Sequence, residues 1–236
     1  MTTSGTYTFN PALGEIVLYA YNLAGVRNTA VLQEHMQTAR MATNMMLSRW
    51  ANQGVNLWAV DLVTVPLVQG QSTYAVVDPD TGSTTNTVVI LDAYIETVNG
   101  SGQPIDRLIL PISRTEYASY PNKEQQGFST TYWFDRLISP TVTLWPVPDG
   151  TTTSLKYYRV RQIQDANLQG GQQVEIPYLW LEAFAYGLAQ RLAIIWSPDK
   201  AIGLKPLADE AYSIAAAQNV ETAQQYISPM ISGYFR

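Results

Sequence analysis

The stretch from Leu179 to Trp196 constrains this chain more than any other, because it is helix-length and apolar almost all the way round. Leu179, Trp180, Leu181, Phe184, Tyr186, Leu188, Leu192, Ile194, Ile195 and Trp196 leave no continuous polar stripe, so a helix over Pro177–Trp196 needs cover on several faces. Glu182, Gln190 and Arg191 interrupt the run, which makes it a poor membrane span and a good buried helix. Whatever else folds has to wrap it. It is the predicted centre of the molecule.

Three further segments have the periodicity to do so. Pro11–Ala24 carries Leu13, Ile16, Val17, Ala20, Leu23 and Ala24 on one stripe, with Asn10 as a cap, Pro11 at the first turn and Gly25 as a stop. Thr29–Ala51 keeps helical spacing from Val31 through His35, Met36, Ala39, Thr43, Met46 and Leu47 to Trp50, with Asn28 or Thr29 as its cap. The two should pair as an antiparallel hairpin. After a break at Ser197-Pro198 and Gly203, an Ala-rich helix is expected from about Pro206 to Tyr226.

Between these helices the pattern changes to short runs rich in Val, Ile, Thr, Tyr and Trp, punctuated by turn residues. Strands are expected over Leu57–Val65, Thr73–Val77, Thr87–Thr97, Ile105–Leu110, Thr130–Ile138, Val142–Trp145 and Ser154–Arg161, with one helical turn at Ser113–Ser119. The fold class that follows is α+β: a four-helix bundle formed by both chain ends, residues 10–54 plus 176–227, with an antiparallel β region inserted over 55–165. Residues 228–236 form a tail that cannot continue the last helix yet carries Met230, Ile231, Tyr234 and Phe235.

Composition narrows the function classes. Charged residues are only 14% of the 236, against roughly 25% in ordinary soluble domains. Thr, Gln, Asn and Ser take their place, giving a surface that a neighbour can cover at modest desolvation cost. The net charge of −5, with no basic cluster, gives no support to a protein that grips phosphates. The absence of cysteine excludes disulfides and thiolate chemistry and accords with a bacterial cytosol. Met1–Asn10 lacks the basic start and apolar stretch of a signal peptide.

A search for chemistry finds none above background. His35 is the single histidine, so no His-rich metal site exists and a serine triad would have to use it. It lies on the apolar stripe of its helix, which favours a packed or interfacial role, and no Ser stands in a nucleophile-elbow setting. Asp78-Pro79-Asp80-Thr81-Gly82-Ser83 lacks the later oxygen donors of a calcium loop and reads as a turn. Asp92, Glu96, Asp106, Glu116 and Asp135 are the carboxylates from which a glycan-cleaving pair would have to come. Trp58, Trp133 and Trp145 could form a sugar-stacking platform or be internal packing. No catalytic residue, metal site or cofactor is expected.

Several stretches taken in order resemble the head-to-tail adaptor proteins of podoviruses, the tail accessory factors or tail tubular protein A-like proteins. They are Leu47-Ser48-Arg49-Trp50-Ala51-Asn52-Gln53-Gly54 followed by Leu57-Trp58; Val68-Gln69-Gly70-Gln71-Ser72-Thr73-Tyr74 leading to Ile90-Leu91-Asp92-Ala93-Tyr94-Ile95; Pro111-Ile112-Ser113-Arg114-Thr115-Glu116-Tyr117 with Pro121-Asn122-Lys123; and Leu144-Trp145-Pro146-Val147-Pro148-Asp149-Gly150 with Tyr157-Tyr158-Arg159. The resemblance implies a structural virion protein of the neck, assembled in the host bacterial cytoplasm. It implies a dodecameric ring beneath the portal, a DNA conduit at ejection, and contact with a downstream nozzle or tail-tube protein. It also implies portal binding by the C-terminal segment, with Ile227, Met230, Ile231, Tyr234, Phe235 and Arg236 as the candidates. For the ring interface the candidates are His35, Trp180, Tyr186 and Trp196. The rival reading is a carbohydrate-binding or cell-wall-hydrolysing tail component.

Overall fold

The computed structural model describes residues 5–6, 9–54, 57–78, 81–84, 86–150, 153–168 and 170–220. Helix α1 spans Leu13–Ala24, and its buried residues Leu13, Ile16, Val17, Ala20, Tyr21 and Ala24 follow the apolar stripe of the sequence. It begins two residues later than Pro11: the Glu15 carboxylate accepts the Ala12 backbone N–H at 3.1 Å, so Asn10 is not the cap. Gly25 ends it in the left-handed region at φ 88°, where a Cβ would be costly. Helix α2, Gln33–Asn52, also starts late, because His35 Nδ1 reaches back to accept the Leu32 N–H at 3.1 Å. A side chain three positions into the helix does the work expected of Asn28 or Thr29.

Helix α4 (Leu181–Trp196) is the hub on which α1, α2 and α5 (Pro198–Ala217) each pack. Phe184, Leu188, Ala189 and Leu192 are fully buried, each large side chain contributing about 1.5–3 kcal/mol by leaving water. Gly187 lets α2 close on α4, since a Cβ there would stand 2.8 Å from Met46 Sδ. Cover is incomplete at the far end, where Ile194 and Ile195 are exposed.

The four-helix bundle of the two chain ends does not form. α1, α2 and α5 each pack on α4, α1 and α2 have little contact with each other, and the irregular segment after the last strand joins the same core. Ile163 and Ala166 from this segment are buried in the helical core, with Val174 and Ile176 packed against it. The Asn44 side chain clamps it by bonding both the Ala166 N–H (2.8 Å) and its carbonyl (3.2 Å). Helix α5 starts at Pro198, not Pro206. Pro206 lies inside it, and the carbonyl it leaves unbonded belongs to Ile202, which is 82% exposed to water.

The β region is one curled, seven-stranded mixed sheet rather than an antiparallel one. Its strands are β1 (Val60–Pro66), β2 (Thr73–Ala75), β3 (Thr87–Val98), β4 (Pro104–Pro111), β5 (Thr131–Asp135), β6 (Thr141–Trp145) and β7 (Thr153–Arg161). They are ordered β1-β7-β3-β4-β5-β6-β2. β4 and β5 run parallel over Leu110–Pro111 and Thr131–Tyr132. Residues 112–130 between them hold helix α3 (Arg114–Ser119) and are long enough for the crossover that a parallel pair requires, about a dozen residues. Val63, Ile95, Ile109, Tyr132, Leu144 and Leu155 fill the second hydrophobic cluster, inside the curl.

Candidate assembly surfaces and the ion network behind them

Alternation along β7 puts Leu155, Tyr157 and Arg159 on the buried face, and Arg159 is the largest fully buried side chain. All five of its N–H donors are used. Nε and Nη2 bond Asp61 on β1 at 2.7 and 3.0 Å, and Nη2 also bonds Asp78 at 2.7 Å. Nη1 bonds the Asn86 and Thr87 side-chain oxygens at 3.1 and 3.0 Å. Burial alone would raise the Asp78 carboxyl. The Thr81 N–H (2.8 Å), the guanidinium and the Asn86 amide (2.5 Å) outweigh it and hold that carboxyl well below the usual range. Nearby, Arg161 pairs with Glu175, which burial pushes up but this partner and the Gln164 N–H hold low.

Such saturation marks a structural centre. No donor of Arg159 is left to a substrate, and the network ties β1, β7 and β3 to the turn before β3. The Asp78 turn thus serves a guanidinium, with Gly82 at φ 68° completing it. Among the described residues no group of three or more His, Asp and Glu could hold a metal ion, and no helix is long and apolar enough to cross a membrane.

The three tryptophans of the would-be sugar platform are engaged by the chain's own aromatic rings. Trp58 packs on Trp180 with ring centres 4.7 Å apart, and Trp180 also meets Trp50 and Tyr212. On the sheet, Tyr117 stacks on Trp133 (5.5 Å) and Tyr120 on Trp145 (4.1 Å), whose indole N–H donates to the Asn122 carbonyl. The would-be sugar platform is therefore the seat of the chain's own helix α3. Of the carboxylates, Glu96 pairs with Lys156 and stands opposite Asp106 across β3 and β4. Asp92 and Glu116 are exposed, and Asp135 closes β5.

Of the ring-interface candidates, His35 and Trp180 lie within the helical core. Tyr186 and Trp196 are half-buried, and the His35 ring is stacked on Trp196 at 4.0 Å. Ile227, Met230, Ile231, Tyr234, Phe235 and Arg236 lie outside the described residues.

What the chain offers to others is apolar surface that sequence periodicity did not single out. Phe9, Tyr19, Tyr178 and Leu179 rim a groove of about 530 Å³ between the starts of α1 and α4. Ile202, Leu207 and Ile214 stand exposed along α5. Leu62, Leu108, Leu110 and Tyr158 are exposed on the sheet. Alternation about the buried Val63 and Ile109 was the signal for the sheet residues, but burial of those two is known only once the strands are paired.

An α+β body with a saturated ionic centre and several uncovered apolar surfaces is built as an assembly subunit. The family model described as SU10 adaptor protein matches residues 21–231, and the chain belongs to this family of phage head-to-tail adaptors, structural proteins of the virion neck. No curated protein matches the chain.

Proposed function

We propose that this chain is one of twelve copies in a ring beneath the portal, through which DNA leaves the head on its way to the tail. The observation that carries this reading is the match of the adaptor family to nearly the whole chain, residues 21–231. Low charge and exposed apolar side chains on α5 and the sheet support it, because identical copies in a ring must cover one another laterally. The helical part, residues 10–54 and 176–227, faces the portal, and the β region, 55–165, faces the downstream nozzle or tail-tube protein. The segment carrying Met230, Ile231, Tyr234 and Phe235 docks on the portal through these apolar side chains, with Ile227 and Arg236 at its ends. The channel wall is polar or acidic, so that DNA slides without being held.

Deleting the residues after Gln225 tests the portal contact. The truncated protein is expected to keep the thermal unfolding curve of the full chain and to lose co-sedimentation with the portal protein of the phage that encodes it. Equal co-sedimentation of both forms would refute the role given to that segment.

A further inference from the structure

Strands β1, β7, β3 and β4 form a four-stranded antiparallel part of the sheet, bounded on one side by the edge strand β1 and on the other by the part of β4 before Leu110, which lacks a second strand partner among the described residues. One edge is β1, which among the described residues pairs only with β7, over Val60–Pro66. The other is β4, whose contact with β5 is confined to Leu110 and Pro111. Residues Pro104 to Leu108 are all exposed. Open edges present a row of backbone donors and acceptors and invite another strand. We propose that neighbouring copies of this chain join edge to edge, β4 of one pairing antiparallel with β1 of the next, so that the sheet continues from copy to copy around the ring. This inference rests on the ring assembly proposed above.

Parity supports this occupant. Four alternating strands make the two edge strands run in opposite directions, so a second copy placed alongside in the same orientation brings β1 antiparallel to β4. The alternation then continues without a break, and the contact is heterologous, as a closed ring requires. The edges also match in extent and in side chains. Leu62 on β1, flanking the buried Val63, lies on the outer face, as do Leu108 and Leu110, flanking the buried Ile109. Leu62 and Leu108 are 42% and 66% exposed, and across a β4–β1 junction they become cross-strand neighbours, the open stretch ending at Leu110, where β5 takes over. On the inner face Arg107 is anchored over the Phe128 ring at 5.0 Å, away from that apolar seam.

Because the chain has no cysteine, disulfide trapping reads this contact without background. Leu62→Cys is combined in turn with Asp106→Cys and Leu108→Cys, two outer-face positions on the open stretch of β4 that together scan the register. Leu62→Cys with Arg107→Cys, on opposite faces, is the control. Cross-strand neighbours lie within disulfide reach, about 4.4–6.8 Å between Cα atoms. Mild oxidation of the purified full-length chain at increasing concentration is expected to give a ladder of covalent oligomers from at least one outer-face pair and none from the control. Leu108→Lys should weaken self-association about tenfold or more, and adding Leu62→Glu should restore it, with thermal unfolding of the monomer unchanged. Oligomers that form without an outer-face cross-link, or that cross-link equally in the control, overturn the edge pairing and leave the adaptor role standing. If the pure chain stays monomeric, the same variants are oxidised on the portal protein of its own phage, and a ring that forms there without an outer-face cross-link overturns the edge pairing. Portal binding then judges the adaptor role separately.

Discussion

Arg159 shows how one side chain can bear on a whole sheet. Its guanidinium is buried with Asp61 and Asp78, and cutting it back to Met leaves two carboxylates facing each other without their cation. Arg159→Met is expected to destabilise the protein by about 3–5 kcal/mol in urea unfolding. Asp78 gives the matching pH signature. Its folded-state carboxyl is held low, so the unfolded chain takes up that proton first as the solution is acidified. The stability it contributes is complete above the ordinary carboxylate range and drains away as pH falls below about 4. Asp78→Asn should be less stable at neutral pH and lose less on acidification, measured as unfolding midpoint against pH. Alternation along Ser154–Arg161 already places Arg159 with Leu155 and Tyr157 on one face, so its burial was legible in principle. Its partners were not: Asp61 and Asp78 are 98 and 81 residues away along the chain, and only strand pairing brings them there.

Among the elements, the helices owe their arrangement to α4 and to the aromatic knot at its start. Trp180 touches Trp50 on α2, Trp58 before β1 and Tyr212 on α5. Trp180→Ala should cost about 3–5 kcal/mol and expose α5, read as faster backbone hydrogen exchange over Pro198–Ala217. Gly25→Ala should cost about 1 kcal/mol, since its left-handed backbone disfavours a Cβ. The existence and kind of every regular element but the short 3₁₀ turns was legible from apolar period and turn chemistry. Start points and packing partners were less so. His35 capping α2 and Glu15 capping α1 are side-chain choices made inside the helix, where sequence reading looks upstream for Asn or Thr. The bundle failed as an expectation because the irregular segment carrying Ile163, Ala166 and Val174 has no periodicity to announce it as core. The mixed sheet failed because a two-residue parallel contact leaves no pattern in either strand.

For the molecule as a whole, the adaptor resemblance rested on the order of several weak stretches, and the structure gives two of them a physical office. Tyr117 and Asn122 hold α3 and its loop against Trp133 and Trp145, and Arg159 after Tyr157-Tyr158 is the ionic centre of the sheet. Both stiffen a scaffold that carries exposed apolar side chains on its surface. The most direct test of the account is the particle mass of the pure chain alone and after mixing with the portal protein of its own phage. A portal ring that gains the mass of a complete set of adaptor copies, in one step and without partial complexes at saturation, is the predicted result. A chain whose mass stays that of a single copy beside an unaltered portal would contradict it.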